Sequence, residues 1–230
     1  MGIFKIMSRA FGGLLLVTGL FLFIFSFFIT YSLGNIPILE ESVDEASYEL
    51  LMSEITTRSN LTESEVLALC ETGDERAKDV CDAIDNPMEA TGLNDSIISL
   101  EQGLKALEGL RNLGIILFLI GSLFIYLGYL NILNALFSIS VKSAITSGFS
   151  IIVYKFTPNI ILKALNSIII EKNIPMEYFD IIRNVILTWL KYPINQTVIL
   201  SIIFTIMFIC LSILFYMLKR KRLNKDNKKK

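Results

Sequence analysis

Three stretches of the chain are apolar at nearly every position: about Ala10–Leu33, Leu113–Phe137 and Thr197–Leu218, none holding a charged residue. Each exceeds the roughly 20 residues that cross about 30 Å of hydrocarbon at about 1.5 Å per residue. The pattern predicts three transmembrane helices. The first follows Lys5 and Arg9. Its apolar run is longer than the roughly 7–15 residues of a cleaved leader, so it reads as a retained signal anchor.

A fourth stretch, residues 144–170, is apolar but interrupted by Lys155 and Lys163. Each would cost about 2.5–3.5 kcal/mol at the centre of a span. Its polar residues are ordered: Ser143, Ser147, Ser150, Lys155, Asn159, Lys163 and Asn166 follow one another mostly by three or four. That spacing predicts one polar helix face, with Lys155, Asn159 and Lys163 either lining a bundle interior or lying at the membrane surface. Pro158 predicts a kink.

Residues 175–191 alternate with helical period: Phe179, Ile182, Ile186, Trp189 and Leu190 against Glu177, Asp180, Asn184, Thr188 and Lys191. Pro175 suits the first helical position and Pro193 is read as the stop. An amphipathic helix lying in the outer interface is expected, with the chain's one Trp near its end.

Residues 34–112 break the apolar pattern. Thr62-Glu63-Ser64-Glu65 reads as a capping box, followed by Val66, Leu67 and Leu69 and a stop at Gly73. Asp74 is placed as the cap of a second short helix that reaches Cys81 and Ile84 and ends at Asn86-Pro87. Asn94 or Asp95 is placed at the start of a helix of about 40 residues, near 60 Å long, running into the second span. Val43, Ala46, Leu50 and Ile55 supply a partner stripe.

The first two spans share a small-residue repeat. Gly12, Gly19 and Ser26 recur every seven residues, and so do Gly114, Gly121, Gly128 and Ala135. Such stripes stay on one side of a left-handed helix pair, where small residues let backbones approach. An antiparallel hairpin of spans one and two is expected. Thr197, Ser201 and Thr205 give the last span a polar seam.

Composition sharpens this picture. The 230 residues are 53% hydrophobic and include no histidine, which removes every Ser-His-Asp or Cys-His catalytic arrangement. Charge is segregated. Residues 34–112 hold 18 of the 22 acids, whereas residues 219–230 hold eight cations and one acid. The basic tail and the Lys5/Arg9 end are both expected in the cytoplasm, which requires an even number of crossings. Either residues 144–170 supply a fourth crossing, as the third span, or the chain crosses three times with its N-terminus outside. Four are expected, because they put the insert's cysteine pair on the oxidising side. The acidic insert then lies on the oxidising side. There Cys70 and Cys81 are expected to form a disulfide, the third cysteine, Cys210, being inside the last span. Sequons at Asn60, Asn94 and Asn195 would face the same side.

The expected fold class is therefore an all-α, multi-pass helical membrane protein. Its parts are a first segment 1–33, an acidic helical module 34–112, a membrane bundle 113–218 and a basic tail 219–230. The insert has no Trp, so the loop motif of claudin-like four-pass proteins is absent, and there is no tetraspanin Cys-Cys-Gly motif. No phosphate loop, CxxC, HExxH or nucleophile elbow is present, and the carboxylates avoid the firm spans. No enzyme, cofactor, metal or nucleic-acid partner is expected. The expected role is a cell-membrane scaffold whose module engages another membrane or surface protein, the tail contacting anionic lipid. The alternative is a channel, transporter or insertase subunit working through Lys155, Asn159 and Lys163.

Overall fold

A computed structural model describes residues 2–72, 77–171 and 176–227, with side chains over 2–72, 77–167 and 179–222. Helix makes up 93% of it, and no strand occurs among the described residues. The helices are α1 (Gly2–Gly34), α2 (Ile36–Ser59), α3 (Glu63–Glu71), α4 (Lys78–Asp85), α5 (Pro87–Ala90), α6 (Leu93–Ala106), α7 (Leu110–Tyr129), α8 (Ile132–Glu171) and α9 (Met176–Asn227). Four stretches are long and apolar enough to cross a membrane: Gly2–Gly34, Leu93–Tyr129, Ile132–Ser167 and Phe179–Arg222. The chain is an all-α, multi-pass membrane protein, and residues 144–167 of the expected segment 144–170 lie within the third of the four. It divides into two compact units.

The first unit comprises Met1–Tyr31, Ala106–Pro158 and Pro193–Lys230. Its α1 and α7 run antiparallel with glycine against glycine. A Cβ placed on Gly12 would meet the Gly121 carbonyl oxygen at 2.7 Å, and one on Gly121 would meet the Gly12 carbonyl at 2.7 Å. Gly19 and Gly114 repeat the reciprocal contact at 2.7 and 2.8 Å. Such closeness maximises dispersion where no water exists to drive association. Ser26 is buried and its hydroxyl bonds back to the Phe23 carbonyl at 2.6 Å.

Ala135 belongs elsewhere than the sequence repeat placed it. α7 ends at Tyr129, so Ala135 is on α8 and not on the helix that carries Gly128. The uncharged run 113–137 conceals a turn. Leu130 adopts a left-handed φ of 52°, and the Asn131 side chain accepts from the amides of Leu133 and Asn134 at 3.1 and 3.4 Å. This is N-cap chemistry written into an apolar stretch. Ala135 still reaches the α1–α7 core, clustered with Leu16 and Ile125.

α8 and α9 are also antiparallel in this unit, since Phe137 meets Tyr216 and Ser147 meets Thr205. Ser140, Ser143, Ser147, Ser150 and Tyr154 descend α8 in steps of three and four, all buried, and Thr197 and Ser201 are buried on α9. The Thr205 hydroxyl donates to Ser147 at 3.0 Å. Most of these hydroxyls also bond one turn back on their own helix, as Ser147 does to the Ser143 carbonyl at 2.8 Å.

The second unit comprises Ser32–Lys105 and Asn159–Tyr192. Two apolar clusters hold it. Ile36, Leu39 and Ile97 pack with Val43, Met88, Leu104, Val185 and Trp189. Met52, Val66 and Ile84 pack with Tyr48, Ile55, Leu61, Cys70 and Val80. Val43 and Ile55 of the expected stripe are thus used, but the buried positions of α2 are Ile36, Leu39, Ser47 and Met52. At the start of α3 the Thr62 amide and hydroxyl both donate to Glu65, each at 2.8 Å. The expected Gly73 stop and Asp74 cap lie outside the described residues, as does Pro175. α4 begins at Lys78.

Three further expectations are corrected. α6 begins at Leu93, so Asn94 and Asp95 occupy its first turn and neither caps it. The helix of about 40 residues expected to run into the second span is broken by a short turn: within the stretch Leu93–Tyr129, α6 ends at Ala106 and α7 starts at Leu110. Between them the amides of Leu110, Arg111 and Asn112 bond three residues back, to Leu107, Glu108 and Gly109, a tightened turn at a residue poor in helix propensity. Finally, Pro193 does not stop the amphipathic run. α9 passes through it and joins residues 176–191 to the last span. Proline frees the carbonyl four residues earlier, that of Trp189. The Asn35 side-chain amide donates to that carbonyl at 2.6 Å, supplying the bond the helix lost.

Candidate functional site

The module's sequence places carboxylates along α2, and the fold turns two of them onto a groove. Ser42, Glu45 and Glu49 line one side; Ile181, Asn184 and Thr188 of α9 line the other, around about 290 Å³. Glu45 and Glu49 are exposed and take part in none of the ion pairs among the described residues, which are Arg58–Glu54, Lys105–Glu101 and Arg183–Asp180. The apolar face of the same α9 segment turns inward through Val185 and Trp189. An open groove with two solvated carboxylates and three neutral hydrogen-bonding side chains, Ser42, Asn184 and Thr188, suits a cationic segment. Nearby, Tyr48 donates to Glu63 at 3.1 Å. Burial first, then the hydrogen bond to Glu63 and the Glu63 charge, push its hydroxyl above the usual tyrosine range.

Cys70 and Cys81 form the disulfide that the sequence predicts, with Cα atoms 5.4 Å apart. Cys210 is free. Asn60 is exposed and ends α2 in a left-handed conformation at φ 58°, a loop setting for a sequon. Asn94 is exposed in the first turn of α6. Asn195 is exposed but within α9, and its Thr197 hydroxyl is buried and bonded to the Pro193 carbonyl at 2.8 Å.

The polar face expected of residues 143–166 divides in two. Ser143, Ser147 and Ser150 are buried, whereas Lys155, Asn159 and Lys163 are exposed. The reason is the step of five between Ser150 and Lys155, which rotates about 140° around a helix of 3.6 residues per turn. Tyr154, one step of four on, continues the buried face and stacks near Phe28 with centroids 5.6 Å apart.

Two cations converge in the first unit: Arg9, read from sequence for topology alone, and Lys142, which the sequence did not single out. The Arg9 Nε donates to the Gly128 carbonyl at 3.0 Å at the end of α7, and its guanidinium lies 4.0 Å from the Tyr129 ring centroid. The Lys142 amine donates to the Arg9 carbonyl at 3.3 Å and sits against Gly13. Lys142 falls between the two apolar runs of the sequence, seven residues after Ala135, and a lysine at that position carried no signal until α8 was known to start at Ile132.

Among the described residues no cluster of three His, Cys, Asp or Glu side chains could hold a metal ion. The fold and the site together define a class: a four-helix membrane protein bearing a disulfide-stapled acidic helical module. No family model, curated protein or solved structure matches the chain.

Proposed function

We propose that this protein is a non-enzymatic cell-membrane scaffold that presents its acidic helical module, outside the cytoplasm, to a basic segment of another membrane or surface protein. The observation that carries the reading is the Glu45/Glu49 groove, where two exposed carboxylates join none of the ion pairs among the described residues. The groove's Val185 packs on the cluster of Ile36, Leu39 and Ile97, and the stapled cluster holds α2 further along. This gives a rigid platform and lowers the entropy lost on binding. The basic tail, with Lys219, Arg220, Lys221 and Arg222, is placed in the cytoplasm against anionic lipid. The four long apolar helices support an even number of crossings and hence both ends on that side.

The alternative of a channel, transporter or insertase subunit needs Lys155, Asn159 and Lys163 around a hydrated interior. Their exposure favours the scaffold. The test uses the full chain in its native membrane with a photo-crosslinker at Ser42. A discrete protein adduct is expected, lost in Glu45→Lys/Glu49→Lys, and thiol probes at positions 60 and 94 should react with an impermeant reagent. Protection of position 60 in intact cells overturns the topology. Solute flux through reconstituted vesicles that requires Lys155 and Lys163 overturns the scaffold reading.

A further inference from the structure

The first unit carries a second feature, independent of the module. Between α1 and α8 runs an open groove of about 500 Å³, lined by Val17, Thr18, Phe21, Leu22, Lys142, Ile145, Thr146 and Phe149. The groove has a direction. Lys142 stands at one end, its amine at the level of Arg9 and Gly13 on α1. From there the wall continues only one way, through Val17 to Leu22 on α1 and through Ile145 to Phe149 on α8. The stretch from Gly13 to Leu22 spans about 13 Å at about 1.5 Å per residue. The Thr146 hydroxyl is bonded to the Lys142 carbonyl at 2.9 Å, so it offers the groove little polarity.

Charge completes the description. Lys142 is half-buried and joins none of the ion pairs among the described residues, all of which belong to the second unit. Among the described residues its acceptor is the Arg9 backbone carbonyl, and two ammonium donors have no partner there. Arg9 is committed to Gly128 and Tyr129 and brings a second positive charge, not an anion. Within the ranges of this unit the sequence holds only two acids, Glu108 and Asp226. Glu108 precedes α7, at the opposite end of that helix from the Gly128 carbonyl that Arg9 holds. Arg9 is also the last charge before the uncharged run Ala10–Leu33, the level at which lipid phosphates lie.

A cation with no counter-ion among the described residues, with an apolar trough leading from it into the hydrocarbon, matches the shape and polarity of an anionic amphiphile. We propose that the α1–α8 groove is a binding site for an anionic glycerophospholipid, its phosphate on the Lys142 amine and one acyl chain along Val17, Phe21, Ile145 and Phe149. The site is distinct from the basic tail, which attracts lipid charge without an acyl groove. Gly13 makes it possible: a side chain there would occupy the place of the Lys142 amine.

The test reconstitutes the full chain, carrying Phe149→Trp as reporter, in phosphatidylcholine vesicles with one-tenth phosphatidylglycerol. Bromine is placed on the acyl chains of one lipid or the other, and the Trp189 signal of the parent chain is subtracted. Per mole of lipid, quenching by brominated phosphatidylglycerol should exceed that by brominated phosphatidylcholine about five-fold, the scale of one cation near a lipid phosphate. The preference should vanish in Lys142→Met and in Lys142→Gln, and persist in Lys142→Arg. It should also persist when Lys219, Arg220, Lys221 and Arg222 are all replaced by Gln. Equal quenching by the two lipids, a preference that survives both Lys142 replacements, or one abolished by the tail variant alone overturns the proposal.

Discussion

The side chain of Asn35 and the backbone of Trp189 complete one helix between them. Asn35 stands at the N-cap of α2 yet makes no cap bond; its amide donates instead to the Trp189 carbonyl at 2.6 Å. The Trp189 indole answers with a bond to the Ser32 carbonyl at 3.3 Å, among the last orphan acceptors of α1. Asn35 is buried. An Asn that forgoes a cap in favour of a carbonyl freed by proline ties the α1–α2 junction to α9 by direct chemical need.

That need predicts a coupling. Asn35→Leu takes the side-chain donor from the part-buried Trp189 carbonyl and should cost about 1–3 kcal/mol. Pro193→Ala restores a backbone N–H four residues after Trp189, so the same Asn35→Leu change should cost much less in that background. Unfolding of the four proteins of this cycle in one detergent measures the interaction directly. Strict additivity of the two changes would remove Asn35 as the replacement donor.

The glycine pairs of α1 and α7 predict opposite outcomes for chemically equal changes. Gly121→Ala puts a methyl where the Leu16 amide and the Gly12 carbonyl already stand, at 2.5 and 2.7 Å. Neither backbone can move without separating the helices, so a loss of about 1–3 kcal/mol is expected, as in an overpacked core. Gly103, in α6, has nothing within 4 Å of an added Cβ. Gly103→Ala should stabilise by about 0.5–1 kcal/mol through the reduced entropy of the unfolded chain. Thermal unfolding of both variants beside the parent distinguishes them. A neutral Gly121→Ala would show that the helices do not meet at this register.

These contrasts separate what the sequence made legible from what it concealed. Period and run length suffice for helix class and for the Gly12, Gly19, Gly114 and Gly121 seam, because both follow from geometry along one helix. The α7–α8 turn was hidden because Leu130 and Asn131 interrupt a run in which nothing is charged. Pro193 misled for another reason: whether this proline ends the helix depends on a donor 154 positions in the chain from the carbonyl it frees. Lys155 was grouped with the serines because steps of three, four and five look alike on paper, yet only the first two hold a face. The Lys142 groove needed the packing of α1 on α8, which no local pattern contains.

The staple predicts a local effect of reduction. Cys70 and Cys81 close a loop of 11 residues, worth about 3 kcal/mol in the chain-entropy account. Val66 and Ile84 flank it in one cluster with Met52. Cys70→Ser/Cys81→Ser should therefore speed amide exchange across α3 and α4 by about 100-fold, while α1 and α7 keep the protection of their glycine contacts. Exchange read by mass spectrometry on the full chain tests both halves. Equal loosening of α7 would mean the disulfide governs more than its own cluster.

The last prediction concerns acid and alkali. Glu65 accepts from the Thr62 amide and hydroxyl, and these bonds hold its carboxyl below the ordinary value of 4.5. The folded state therefore binds this proton less readily than the unfolded chain does. Its contribution is present above about the ordinary carboxylate value and is lost as pH falls through the depressed folded one. Tyr48 acts in the reverse sense. Its hydroxyl is held above the ordinary 10.0, so its contribution is present below that value and is lost as pH rises beyond it. Exchange protection across α3 should thus fall on both flanks. Glu65→Ala should flatten the acid flank and leave the alkaline one, and Tyr48→Phe should do the opposite. Each measurement follows α3 peptides of the full chain against pH, after correction for the intrinsic exchange rate. An acid flank unchanged in Glu65→Ala would assign the loss to other carboxylates of the module, because Glu65 is the one whose proton the α3 cap holds off.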